Sequence, residues 1–138
     1  MEVFAKKLPT LSLVPVNDIA ALQDNKNGYL VDINVPNLLA FHRSYPVTTT
    51  FAQEYSTGAI ILQDKASCIP ATLLDARVGA TVLDACAAPG NKTTQLAAAV
   101  GPKGNVFAVE KDPKRAITLT SMVEKAGASK CTFHPFPL

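Results

Sequence analysis

Charge is scarce in this chain and nearly cancels. Thirteen Lys and Arg face eleven Asp and Glu, a formal net charge of +2, and charged residues make up 17% of the 138 positions. A free-standing RNA binder usually carries a stronger basic excess or a basic stripe. None is visible, so composition neither supports nor excludes contact with RNA. Cysteine is also scarce. Cys68, Cys86 and Cys131 are widely spaced, with no C-x-x-C pair, so no metal site is suggested. An odd number of cysteines without a signal sequence fits a reducing compartment. Long apolar runs are missing as well. Met1 to Leu8 has no extended apolar core and no run approaches membrane-spanning length, so a soluble, intracellular protein without membrane contact is expected. There are no internal repeats and no low-complexity tracts. The 48% of hydrophobic residues is a globular composition, and the length suffices for one core.

The informative stretch is Thr81–Lys92, Thr-Val-Leu-Asp-Ala-Cys-Ala-Ala-Pro-Gly-Asn-Lys. Thr81 to Ala85 is short, apolar and β-prone, and reads as a buried strand. Cys86 to Lys92 has no regular pattern and contains Pro89 and Gly90. A helical run follows from Thr93 to Val100, with Leu96, Ala97 and Val100 on one face. Strand, tight turn of small residues, helix is how an α/β nucleotide-type site begins. The turn lets backbone N–H groups and a helix N-terminus face a ligand at the carboxyl end of the strand. Val106 to Val109 is a second apolar run, ending in Glu110, which lies 20 residues after Gly90. At that offset a second strand offers a carboxylate to a ribose diol, whose two hydroxyls can both donate to it.

The turn lacks what a phosphate cradle needs. A dinucleotide fingerprint requires spaced glycines, and here Ala87, Ala88 and Pro89 surround a single Gly90. Lys92-Thr93 imitates the end of a P-loop, but Cys86 and Asn91 stand where its glycines must be. A ligand with a ribose and no pyrophosphate fits best, and S-adenosylmethionine leads. An ordinary βαβ turn followed by a surface Glu is the plainer alternative. A dinucleotide enzyme is a further one, against which the lone glycine speaks.

Asp84-Ala-Cys-Ala-Ala-Pro-Gly-Asn-Lys-Thr93 closely resembles the cofactor loop of the Fmu/Sun family of RNA (cytosine-C5) methyltransferases. Ile61-Leu-Gln-Asp-Lys-Ala-Ser-Cys-Ile-Pro70 is similar to the segment that precedes that loop. The Asn-Lys variant and Val35-Pro-Asn-Leu-Leu39 look most like the eukaryotic branch acting on large-subunit ribosomal RNA. The resemblance runs from about Asp32 to about Cys131. It implies S-adenosylmethionine as cofactor, RNA as substrate, pre-ribosomal proteins as partners and a nucleolar location. It implies that Cys86, Ala87, Ala88, Pro89, Gly90, Asn91 and Lys92 lie along the cofactor, that Glu110 is the ribose acid, and that Arg115 supports the site. The family's reaction adds a cysteine thiolate to C6 of cytosine, so that C5 becomes nucleophilic and takes the methyl group. Its two cysteine motifs lie beyond the third strand, and this sequence stops at Leu138 before either. No catalytic residue is therefore assigned. Each of the three cysteines reads as a small buried residue.

Elsewhere the sequence is less specific. Met1 to Pro15 reads as an extended lead-in. Val16 to Gln23 reads as a short helix with Asn17 or Asp18 near its N-terminus, before the turn Asn25-Lys-Asn-Gly28 and a strand at Tyr29–Val31. Asp32 to Ser56, broken by Pro36 and Pro46 and with Thr48-Thr-Thr50 favouring extended structure, reads as a connector laid over the next domain. Lys6, Lys7 and Lys26, or His42, Arg43 and Tyr45, could touch RNA. Solvated side chains and an ordinary loop are the preferred accounts. Gly58–Gln63 is expected to be a strand or extended segment. Ala66–Leu74 is expected to be a helix with Ala66, Ile69 and Leu73 on one face, capped by Asp64 or Ser67, or with Gln63-Asp64 bordering the substrate. Pro113 opens a helix whose face Ala116, Leu119, Val123 and Ala126 runs to a stop at Gly127, before a third strand at Cys131–Phe133. His134-Pro-Phe-Pro-Leu138 is not expected to continue a central strand.

The expected architecture is thus an α/β fold in two parts. Residues 1–55 form an α+β or extended accessory segment, a remnant of an RNA-binding region. Residues 56–138 form the first half of a Rossmann-like, class I methyltransferase sheet, with right-handed crossovers. The expected function is the cofactor-binding portion of a ribosomal-RNA cytosine-C5 methyltransferase, inactive alone. The alternative is a non-catalytic short isoform that binds the cofactor or a pre-ribosomal partner. An open edge along Thr81–Ala85 is expected to make the chain marginally stable.

Overall fold

The computed structural model describes residues 4, 7–128 and 132–136. Lys6, Cys131 and Leu138, to which the sequence reading assigned roles or positions, lie outside the described residues. The chain divides into two compact units, Met1–Tyr55 and Ser56–Leu138.

In the first unit the lead-in is not extended throughout. It holds a 3-10 turn at Leu8–Thr10 and a short strand β1 at Val14–Pro15. Helix α1, Ile19–Asp24, starts where Asp18 turns to extended backbone and its carboxylate accepts the N–H of Ala21 at 2.8 Å. The turn at Asn25 closes when Gly28 N–H donates to the Asn25 carbonyl at 2.9 Å, and it feeds β2, Gly28–Val31. β1 runs parallel to β2, and β2 pairs antiparallel with β3, Leu39–Phe41.

The stretch read as a connector belongs to this unit, as β3 and the two short helices α2, Val47–Thr50, and α3, Ala52–Ser56. The threonine run is helical against its β-propensity, held by local capping and by the burial of the residue that follows it. Pro46 sits at the N-cap, the Thr49 and Thr50 N–H groups donate to its carbonyl, and Phe51 N–H donates to Val47 at 2.9 Å. Phe51 itself is fully buried, with the rings of Phe4 and Phe41 5.2 and 5.9 Å from its own. Burial of one aromatic side chain, on the order of 2 kcal/mol, outweighs a few tenths per threonine of propensity.

The second unit opens with an irregular segment through Gln63, not a strand. Helix α4, Lys65–Leu73, follows, and its buried face differs from the expected one. Cys68 and Ala71 are buried, whereas Ile69 is 38% and Leu73 77% exposed. Pro70 lies inside this helix, and neither capping residue expected for it is used, since Asp64 occupies the N-cap without a side-chain bond. Then come β4, Thr81–Asp84; α5, Asn91–Val100; β5, Asn105–Val109; α6, Pro113–Lys125; and β6, Thr132–Phe136. The three strands form one parallel sheet in the order β4-β5-β6, with Asp84 opposite Ala108. This is a Rossmann-like α/β arrangement.

The alternation of β5 sorts the core. Val106 and Ala108 point to the covered face and are fully buried. Val106 packs with Ala71, Leu96, Ala97 and Val100, and Ala108 with Ala87, Ala88, Leu119 and Val123. Gly104 lets the start of β5 approach α5: a Cβ there would fall 2.4 Å from the Val100 Cβ. Asp112 caps α6 by accepting the N–H groups of Lys114 and Arg115, and Pro113 takes its first position as expected.

Two readings need correction at the sheet's margins. β4 is not a buried strand: Thr81 and Leu83 are exposed, Leu83 by 63%. β6 does continue through Pro135 to Phe136, because its only partner among the described residues is β5. A proline that brings no N–H is tolerated on an outer strand, not a central one. Among the described residues β4 likewise pairs with β5 alone, so its other edge offers open N–H and C=O groups beside an apolar side chain. Replacing Leu83 by Lys should change folding stability by no more than about 0.5 kcal/mol yet delay aggregation. Light scattering at fixed temperature checks this, and equal aggregation of both proteins would show that this edge is not the sticky surface.

Candidate functional site

Parallel pairing with Asp84 opposite Ala108 brings the carboxyl ends of β4 and β5 to the same margin of the sheet. The loop after β4 and Glu110 after β5 are therefore neighbours. The contact is direct: Ala87 N–H donates to the carbonyl of Val109, the residue before Glu110, at 3.1 Å. The loop turns through a cis Ala88–Pro89 peptide and through Gly90 at φ +119°, where helix α5 begins two residues earlier than the sequence suggests. Gly90 serves packing as well as conformation. A Cβ there would lie 3.0 Å from both Cβ and Cγ of Met122 on α6.

Glu110 is buried, 7% exposed. Its Oε1 accepts the N–H of Asp112 at 3.0 Å, and its Oε2 lies 3.4 Å from Nη1 of Arg115. The other guanidinium nitrogen, Nη2, donates to the Ala88 carbonyl at 2.8 Å. Arg115 is thus a strap between the acid and the middle of the loop, made by a side chain that is still largely exposed. Each Glu110 oxygen keeps a lone pair for a further donor.

Residues from Cys86 to Lys92, Glu110 and Arg115 are gathered at this margin. Their chemistry is unequal. Cys86 is exposed, contrary to the expectation that all three cysteines are buried; Cys68 is buried as expected. Cys86 N–H donates to Asp84 Oδ1 at 3.2 Å and Ala87 N–H to Val109, so two loop amides are already taken by the protein. The first-turn amides of Asn91 and Lys92 have no helical acceptor, as at any helix start, and the Asn91 Oδ1 is buried without a partner among the described residues. Gly90 N–H to Thr93 N–H form the open, partly positive end of α5. A carboxylate for a diol, beside a helix N-terminus, fits a nucleoside that carries a small charged appendage.

Sequence reasoning missed two members. Asp84 and Thr93 entered it only as the ends of a motif, yet both are buried, and Thr93 Oγ1 donates to Asp84 Oδ2 at 2.7 Å. A hydroxyl nine residues after a strand-terminal carboxylate was the available signal. His42 and Tyr45, in the first unit, are engaged locally: His42 Nδ1 lies 2.7 Å from Ser44 Oγ, and Tyr45 stacks on Phe41 at 5.4 Å. Among the described residues no group of three or more His, Cys, Asp or Glu could hold a metal ion, and no helix is long and apolar enough to cross a membrane. A groove of about 350 Å³ lies towards the far end of α5, lined by Ala97, Gly101 and Ala126 among others, away from Glu110.

The parallel sheet with the buried carboxylate of Glu110 beside its first loop is a Rossmann-like fold of the methyltransferase class. Residues 71–134, which include the loop, Glu110 and Arg115, match the family described as 16S rRNA methyltransferase RsmB/F. It is 42% identical to a 28S rRNA (cytosine-C(5))-methyltransferase of Mus musculus over 84% of this chain and 24% of that protein. It is 43% identical to the 25S rRNA (cytosine-C(5))-methyltransferase rcm1 of Schizosaccharomyces pombe over 92% and 27%. The chain thus spans about a quarter of the length of these relatives. Among solved structures it matches a methyltransferase homologue from Pyrococcus horikoshii with TM-score 0.59 and 30% identity, over 68% of this chain and 30% of that one. PH0851 matches with TM-score 0.67 and 29% identity, over 87% and 27%.

The Arg115 strap is testable without a ligand. Its side chain is 57% exposed, so its two contacts are screened. Arg115→Ala should lower stability by only about 0.5 kcal/mol, roughly 2–4 °C in Tm, but speed hydrogen exchange at Ala87 and Ala88 severalfold. Unchanged exchange there would mean that the loop holds its shape without the strap.

Proposed function

We propose that this chain carries the S-adenosylmethionine site of a ribosomal-RNA cytosine-C5 methyltransferase. The observation that carries the reading is the juxtaposition of Glu110 with the Cys86–Lys92 loop, strapped by Arg115, in a chain that matches the RsmB/F family. Glu110 takes the ribose hydroxyls. The backbone from Cys86 to Lys92 runs along the ribose and methionine portion, with the open amides of α5 towards the carboxylate. Arg115 holds both groups in place. The cofactor, when bound, supplies an electrophilic methyl group.

The substrate in this reading is cytosine in large-subunit ribosomal RNA, as the names of the two relatives state for those proteins. A nucleolar location and pre-ribosomal partners belong to the same reading. Residues 1–55 serve as the accessory, RNA-side segment and residues 56–138 as the cofactor half of the methyltransferase domain. The chain by itself is inactive in this reading, because none of Cys68, Cys86 and Cys131 stands in a sequence context that matches the family's two cysteine motifs. A non-catalytic role, binding cofactor or a pre-ribosomal protein, remains the second reading, supported by the open β4 edge and the exposed Leu83.

Calorimetric titration tests the assignment. Glu110→Ala should weaken S-adenosylmethionine binding about tenfold or more, the loss of hydrogen bonds to a charged acceptor of roughly 1.5–3 kcal/mol. S-adenosylhomocysteine, with the same ribose, should lose as much. Equal affinity of wild type and variant would mean that Glu110 is not the ribose acid.

A further inference from the structure

Asp84 is the last residue of β4, and its carboxylate is buried at 8% exposure. Neutral donors occupy both of its oxygens. Oδ1 accepts the Cys86 N–H at 3.2 Å, and Oδ2 accepts the Thr93 hydroxyl at 2.7 Å. Thr93 is 1% exposed and lies in the first turn of α5. Its hydroxyl has one proton and two nearby acceptors, Asp84 Oδ2 and the Ala87 carbonyl at 3.3 Å, and the shorter, charged contact takes it. One carboxylate therefore joins the end of the strand, the first loop residue and the start of the helix. The remaining loop contacts, Ala87 to Val109 and Ala88 to Arg115, lead away to β5 and α6. The Asp84–Thr93 bond closes the loop on itself.

We infer that Thr93 and Asp84 are positioning residues for the cofactor loop, a latch that sets its geometry without touching the ligand. The inference rests on the S-adenosylmethionine reading only for what the loop binds. A buried carboxylate oxygen must be donated to, and at Oδ2 the donor is Thr93. If that donor is lost, Asp84 must turn towards water or towards other donors, and the Cys86 N–H on its second oxygen moves with it. The affected atoms are the loop backbone, while the packing of α5 through Leu96, Ala97 and Val100 is left intact.

Thr93→Val keeps the shape and removes the hydroxyl, and Thr93→Ser keeps the hydroxyl. In the 138-residue chain, Thr93→Val should speed hydrogen exchange at the Cys86 amide and weaken S-adenosylmethionine binding by about tenfold, one lost hydrogen bond to a charged group. Thr93→Ser should restore both to within about twofold. Binding is read by calorimetry with the stoichiometry fitted, so loss of folded protein lowers the number of sites and not the affinity of the rest. A Thr93→Val variant with wild-type affinity and wild-type Cys86 exchange overturns the latch. So does a Thr93→Ser variant as impaired as Thr93→Val, which would assign the effect to helix packing. If the wild type binds no S-adenosylmethionine, the cofactor reading fails, and the exchange measurement still decides the latch by itself.

Discussion

The in-register parallel pairing of β4 with β5 is the constraint on which the site depends. Asp84 faces Ala108 across the ladder, so both strands end at one margin and their following residues meet there. A slip of two residues would keep the same side chains in the core but carry Glu110 about 7 Å along the strand direction, out of reach of the loop. The register is secured from the covered face. Val106 is fully buried against α4 and α5 and Ala108 against α6 and the loop, and Gly104 admits Val100 so closely that no side chain fits beneath it. Core packing and site geometry are here the same fact, since the alternation that buries Ala108 also ends β5 where Val109 can accept from Ala87.

Much of this was legible in the sequence because it is local. A β-prone run, a turn of small residues and an apolar helical face can be read within 20 positions, and so can the Gly90 to Glu110 offset. Asp18 and Pro113 stand where helix-start chemistry puts them. What was not legible is decided at a distance. The Thr48–Thr50 helix depends on where Phe51 is buried, and the aromatic partners of Phe51 lie ten and more residues away. The buried face of α4 was misread because Ile69 and Leu73 look like core residues. Gln95 of α5 donates to the Cys68 carbonyl and Thr72 hydroxyl of α4, which turns Cys68 and Ala71 inward. The end of β6 was placed too early, at Phe133: among the described residues the strand pairs with β5 alone, where Pro135 is tolerated, and that position cannot be seen from its own residues.

The loop shows a division of labour that composition alone could not assign. In the sequence Gly90 stands as the single glycine of a turn without a phosphate cradle. In the structure its φ of +119° and its contact with Met122 explain why it is glycine, with no appeal to a ligand. The polar duties fall to side chains that the motif only brackets: Asp84 and Thr93 within the loop's frame, Arg115 from α6. These bonds, two to loop backbone and two between side chains, join different elements or turns, so loop geometry is fixed by the packing of β4, α5 and α6 together.

That arrangement bears on which ligand the turn can serve. A pyrophosphate needs a run of N–H groups aimed outwards. Between Cys86 and Gly90, Cys86 and Ala87 have spent theirs on Asp84 and Val109, and Pro89 has none. Three of five positions are thus closed to an anion, and what remains is chiefly the open first turn of α5. A single carboxylate can be held there, whereas two linked phosphates would stay largely unpaired and desolvated. Near Glu110 a dianionic group would also meet a buried carboxylate that Arg115 only partly offsets, because the guanidinium is shared with Ala88. The turn therefore discriminates by charge. On the proposed reading this suits a nucleoside with one carboxylate better than a dinucleotide, and part of the reason is backbone bonds made inside the protein, at Cys86 and Ala87, beside the charge of Glu110.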